Sequence, residues 1–78
     1  MSYQTSDLYL AAYLKTCGCQ LVSTKAGQDK NRIEFAFNGF LDINGLVRDY
    51  FNGGQVNIQT FIQNLKSLRY ICKTAIRI

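Results

Sequence analysis

Along residues 58–76 the apolar side chains Ile58, Phe61, Leu65, Leu68, Cys72 and Ala75 recur at three- and four-residue steps. That spacing gathers them on one side of an α-helix and rules out a strand, whose faces alternate with period two. It is the strongest periodic signal in the chain. The stripe also has a heptad-like period, so it has two ways to be buried: against the preceding segment, or against its copy in a dimer.

The rest of the chain reads as short elements between turn signals. Residues 7–16 suit a first helix. Thr5, Ser6 and Asp7 offer side-chain oxygens to orphan N–H groups, and Leu8, Ala11, Ala12 and Leu14 form an apolar side. Gly18 suits the left-handed stop. Residues 19–25 and 31–37 read as two strands, the second alternating Ile33, Phe35 and Phe37 with Arg32, Glu34 and Ala36. The polar stretch 26–30, with Gly27, suits a hairpin loop, and Asn38-Gly39 closes the second strand. Residues 42–51 read as a short helix with Leu46, Val47, Tyr50 and Phe51 on its apolar side, stopped by Asn52-Gly53-Gly54. Asn57 is the expected N-cap of the long helix.

The expected fold class is α+β, ordered α-β-β-α-α: helix, two-stranded antiparallel hairpin, short helix and long C-terminal amphipathic helix. It is one domain over residues 1–78, with its ordered core in 5–76. A core of this size nets only about 3–5 kcal/mol. Two strands also leave open edges. Both points favour a homodimer with a shared core.

Composition excludes several function classes. The N-terminus is polar with no basic n-region, and no run of about 20 apolar residues exists, so a secretory leader and a membrane span are not expected. The expected location is cytoplasmic. The chain has three cysteines (Cys17, Cys19, Cys72) and no histidine, one ligand short of a usual zinc site and odd for a disulfide framework. Reduced thiols packed as small hydrophobes are expected, with no metal and no cofactor. No catalytic residue is assigned either. Histidine is absent, the five acidic residues are scattered, and no nucleophile-elbow, phosphate-loop or dinucleotide motif occurs. Cys17-Gly18-Cys19 lacks the spacing of an activated C-x-x-C pair.

The formal charge is +4, and its placement is uneven. Residues 1–49 balance five basic against five acidic groups; residues 50–78 hold Lys66, Arg69, Lys73 and Arg77 and no acid. On a helix these four fall within about 80° of one another, about 110° around from the apolar side. Tyr70 lies on the same side and is suited to stack on a base. Four phosphate contacts imply a log–log salt slope of about −3 to −4. Lys15, Lys25, Lys30 and Arg32 extend this surface if the fold brings them near. The plainer account is a solvated face, with cations favoured by the helix dipole and by solubility. Tyr9 and Tyr13 form an i, i+4 pair on helix 1 and are the candidate protein interface. The plainer account there is that the two rings cover the edge of the core with their hydroxyls in water.

Thr5-Ser6-Asp7, Ala11-Ala12-x-Leu14 and Gly18 resemble the opening of a family of short bacterial and phage proteins of unknown function. Phe35-x-Phe37, Tyr50-Phe51-x-Gly53, Phe61 and Leu65-Lys66-x-Leu68 look like the remainder of that pattern, so the resemblance spans roughly residues 5–70. Asn57-Ile58 departs from it, standing where such proteins often carry an acid followed by proline. The resemblance implies a single microbial or viral domain and brings no assigned catalytic or binding residue. Two functions follow from the residues themselves. One is non-catalytic nucleic-acid binding through Lys66, Arg69, Tyr70, Lys73 and Arg77. The other is a regulatory accessory module that docks on a larger protein through Tyr9 and Tyr13; a bacterial or phage origin is what the resemblance implies.

Overall fold

The computed structural model describes residues 2–26, 32–38 and 42–76. Its elements are β1 (Ser2–Thr5), α1 (Leu8–Thr16), β2 (Gln20–Ala26), β3 (Ile33–Asn38), α2 (Ile43–Phe51) and α3 (Ile58–Ile76). The expected loop at 27–30, Gly39, the side chain of Ala75 and Arg77 lie outside the described residues.

The helix ends follow from local chemistry. Asp7 stays extended and its Oδ1 accepts from the N–H groups of Tyr9 and Leu10, at 3.0 and 3.2 Å. Asp42 caps α2 the same way through the N–H of Gly45, at 3.1 Å. Asn57 caps α3 by accepting from Thr60 N–H at 3.0 Å. Both α1 and α2 stop in a Schellman arrangement: Gly18 and Gly53 adopt φ of 101° and 84°. The next residue then reaches back, Cys19 N–H to the Leu14 carbonyl at 3.0 Å and Gly54 N–H to the Asp49 carbonyl at 2.6 Å. Replacing the α1 cap by Asp7→Ala orphans two donors. It is expected to cost about 0.5–2 kcal/mol, read as a lower urea midpoint with an unchanged slope.

The sheet is three-stranded, in the order β1-β3-β2, and antiparallel throughout. This corrects the two-stranded hairpin: residues 2–5 form a strand where the sequence reads only as a polar lead-in to a helix cap. One apolar side chain in four gives no alternation to detect. Tyr3 nonetheless lies opposite Phe37, and Thr5 opposite Phe35. β3 therefore has both edges paired, and the open edges lie on the outer sides of β1 and β2. In the β2–β3 ladder a bulge leaves Val22 without a register partner between Leu21 and Ser23, which adds local twist to the edge strand β2.

Ile33, Phe35 and Phe37 face one side of the sheet and are buried. Against them lies α1, where Leu10 through Leu14 are buried in succession. Five consecutive buried positions cover more than one face of a helix, so α1 is enclosed on several sides. It contacts β1, α2 and α3. Ala11 and Ala12, with no exposed surface, let those neighbours approach closely. Leu68 of α3, also fully buried, completes the core with Phe35, Phe37 and Leu14.

Two side-chain contacts set the direction of α3 on α1. The Asn64 amide donates to Thr16 Oγ1 at 3.0 Å, and the Arg69 guanidinium donates to Tyr9 Oη at 3.4 Å. Later residues of α3 meet earlier residues of α1, so the two helices run antiparallel. Thr16, the last residue of α1, is level with Asn64. The first turn of α3 thus projects past the end of α1, and Ile58, an apolar-stripe position in the sequence, is 63% exposed.

Candidate nucleic-acid interface

Packing through Phe61, Leu65, Leu68 and Cys72 leaves the flank of α3 about 100–110° around from them open to solvent. Lys66, Arg69 and Lys73 are all exposed there, within an arc of about 60°. Tyr70 lies just beyond them and is 69% exposed. No acidic residue occurs on α3. The ion pair found among the described residues joins Lys25 to Glu34 at 3.4 Å. That pair sits on the outer face of the sheet, away from α3, so Lys25 does not extend the strip.

The tyrosines of α1 part company. Tyr9 is half exposed, with its hydroxyl against Arg69. Tyr13, one turn on, is only 5% exposed, because α2 covers that end of α1. Its ring packs tilted on Tyr50, with centroids 5.4 Å apart, and Tyr50 in turn packs edge-on to Phe51. Tyr9 and Tyr13 are therefore not one exposed patch: Tyr13 is buried beneath α2, with its hydroxyl against Gly54 and Cys17. No sequence signal points to the Tyr9–Arg69 contact, which joins residues 60 positions apart.

A concavity of about 440 Å³ opens between the ends of α1 and α2, lined by Tyr13, Cys17, Leu46, Asp49, Gly53 and Gly54. The Tyr13 hydroxyl presses on Gly54 so closely that a Cβ there would collide with it. Burial pushes the Cys17 thiol up, the Tyr13 hydroxyl beside it pulls the other way, and Asp49 adds to the rise. Burial likewise raises Cys19 and Cys72. A raised thiol holds less thiolate at neutral pH, and the thiolate is the nucleophile. Alkylation of all three cysteines by iodoacetamide at pH 7 is thus expected to be slower in the folded protein than in urea, and to accelerate as pH rises. A native rate above the unfolded one would contradict this placement. Among the described residues no three His, Cys, Asp or Glu side chains converge on a metal-sized site. None of the described helices is long and apolar enough to cross a membrane.

These features define a small α+β domain of three helices and a three-stranded antiparallel sheet, with a cationic, aromatic-edged helix face. The chain belongs to the family described as a domain of unknown function (DUF5659), which matches residues 1–73. A family of unknown function is what the resemblance implied, and the matched span takes in Lys66, Arg69, Tyr70 and Lys73 and ends before Arg77. No curated protein and no solved structure matches the chain.

Proposed function

We propose that this domain binds nucleic acid through the exposed face of α3, as a non-catalytic module of the cytoplasm. The observation that carries the reading is the exposed cationic strip of Lys66, Arg69 and Lys73 on a helix without acidic residues. The helix dipole accounts for a cation only within the last turn. Here that covers Lys73 and leaves Lys66 and Arg69, in mid-helix, without that explanation. A single-signed strip is electrostatically suited to a phosphate backbone.

The test is fluorescence anisotropy with labelled single- and double-stranded DNA and RNA at low and moderate salt. Three phosphate contacts give an expected log–log slope of about −2 to −3. Flat curves at every salt would reduce the strip to a solvated face.

A second reading, docking on a partner protein or on a second copy of the chain, is favoured by one observation. Ile58 and Ile62, one turn apart on α3, are 63% and 40% exposed, and adjacent turns of a helix present neighbouring side chains. Sedimentation equilibrium separates the readings: a mass that rises with concentration, together with absent nucleic-acid binding, supports the second.

A further inference from the structure

The geometry points to single-stranded nucleic acid as the ligand class, held between two tyrosine stacking platforms, Tyr9 and Tyr70, that border the cationic strip. This rests on the nucleic-acid reading above and adds to it a strand type and a residue from a second helix.

Viewed along the α3 axis, Arg69 lies at the margin of the strip nearest the inward-facing Leu65 and Cys72, where α1 packs. Lys73 and Lys66 follow, and Tyr70 stands at the far margin, about 100° from Arg69. The contact from Arg69 Nη2 to Tyr9 Oη, at 3.4 Å, places the Tyr9 ring beyond Arg69 on the other flank. The three cations are therefore bracketed by two tyrosines, Tyr9 and Tyr70, that are 50% and 69% exposed. The Tyr9 contact occupies one of the five guanidinium N–H donors of Arg69 and leaves the others for a phosphate.

Two physical points select the single strand. Unpaired bases offer π-faces to tyrosines, and stacking of this kind tolerates any sequence, whereas a duplex keeps its base faces inside the stack. Groove insertion is also disfavoured. A B-DNA major groove is about 12 Å wide and admits one helix. Here α1 lies beside α3 at Arg69, and two packed helices, with axes about 8–10 Å apart, present a surface roughly 20 Å across. The strip is therefore built to lie along a strand, with phosphates over Arg69, Lys73 and Lys66 and bases turned outward onto the two rings.

The experiment titrates the intact protein into a labelled oligo-dT of about 15 nucleotides and into a duplex of the same length, at two salt concentrations. Wild type, Tyr9→Ala, Tyr9→Phe, Tyr70→Ala and Lys66→Glu/Lys73→Glu are compared, each checked by thermal melting. Wild type is expected to prefer the single strand. Each tyrosine-to-alanine change is expected to weaken single-strand binding by roughly tenfold while leaving the salt slope unchanged, because no phosphate contact is lost. Tyr9→Phe keeps the ring and is expected to bind like wild type. Equal or tighter duplex binding overturns the inference. So does unchanged single-strand affinity in Tyr9→Ala and Tyr70→Ala beside a loss in Lys66→Glu/Lys73→Glu, an outcome that leaves the nucleic-acid reading standing. Absence of any binding by wild type at low salt overturns both.

Discussion

Phe37→Ala is expected to leave the chain largely unfolded at 25 °C. Phe37 has no exposed surface and sits on the central strand, with Tyr3 opposite it on one side and Leu21 on the other. Its ring joins the cluster that holds Leu14 of α1 and Leu68 of α3, so the cavity left behind touches every layer. A buried Phe→Ala change costs about 3–5 kcal/mol. A domain of this size has about that much net stability, so the substitution consumes essentially all of it. Far-ultraviolet circular dichroism against urea is the measurement, with Tyr9→Ala as the comparison: Tyr9 is half exposed, and its change should move the transition little. A Phe37→Ala protein that loses less than about 1 kcal/mol would mean that the sheet does not pack on α1 as described.

What the sequence revealed and what it hid divide along one line. Features governed by a few neighbouring residues were legible: the α3 period, the Asp7 and Asn57 caps, and the Gly18 and Gly53 stops all depend on chemistry within five residues. β1 was not, because a strand of four residues acquires its identity only from the ladder with residues 35–38, distant in sequence. Tyr13 illustrates the same limit. Its i, i+4 relation to Tyr9 is a property of α1, but whether the ring is covered is decided by where α2 lies. The exposure of Ile58 was not legible because the antiparallel offset of α3 on α1, seen in the Asn64–Thr16 contact, has no local signature. The candidate site shows both cases. The cations of α3 were legible, since helical position alone separates them from Leu65, Leu68 and Cys72. The addition of Tyr9 to that surface was not, since it required the tertiary pairing of α1 with α3.

The charge-reversed double variant Lys66→Glu/Lys73→Glu is the largest functional change expected. It removes two of the three described cations of α3 and puts two carboxylates where phosphates are to lie, within a Debye length of about 8–10 Å of the remaining Arg69. The salt slope is expected to fall from about −2 to −3 to no more than about −1, with affinity at the detection limit. Loss of binding through unfolding is separable by thermal melting. Lys66, Arg69 and Lys73 are exposed like charges spaced by three and four residues, which repel along the helix. The introduced carboxylates fall at i−3 and i+4 from Arg69 and convert that repulsion into attraction, worth about 0.2–0.5 kcal/mol per pair. A carboxylate at position 73 meets the negative end of the α3 dipole, which offsets that gain by about 0.3–1 kcal/mol, so the variant should melt close to the wild-type temperature while losing its ligand. Binding that survives in a variant of unchanged stability moves the site off α3. A sharply lowered melting temperature would instead show that these side chains make contacts their exposure does not account for.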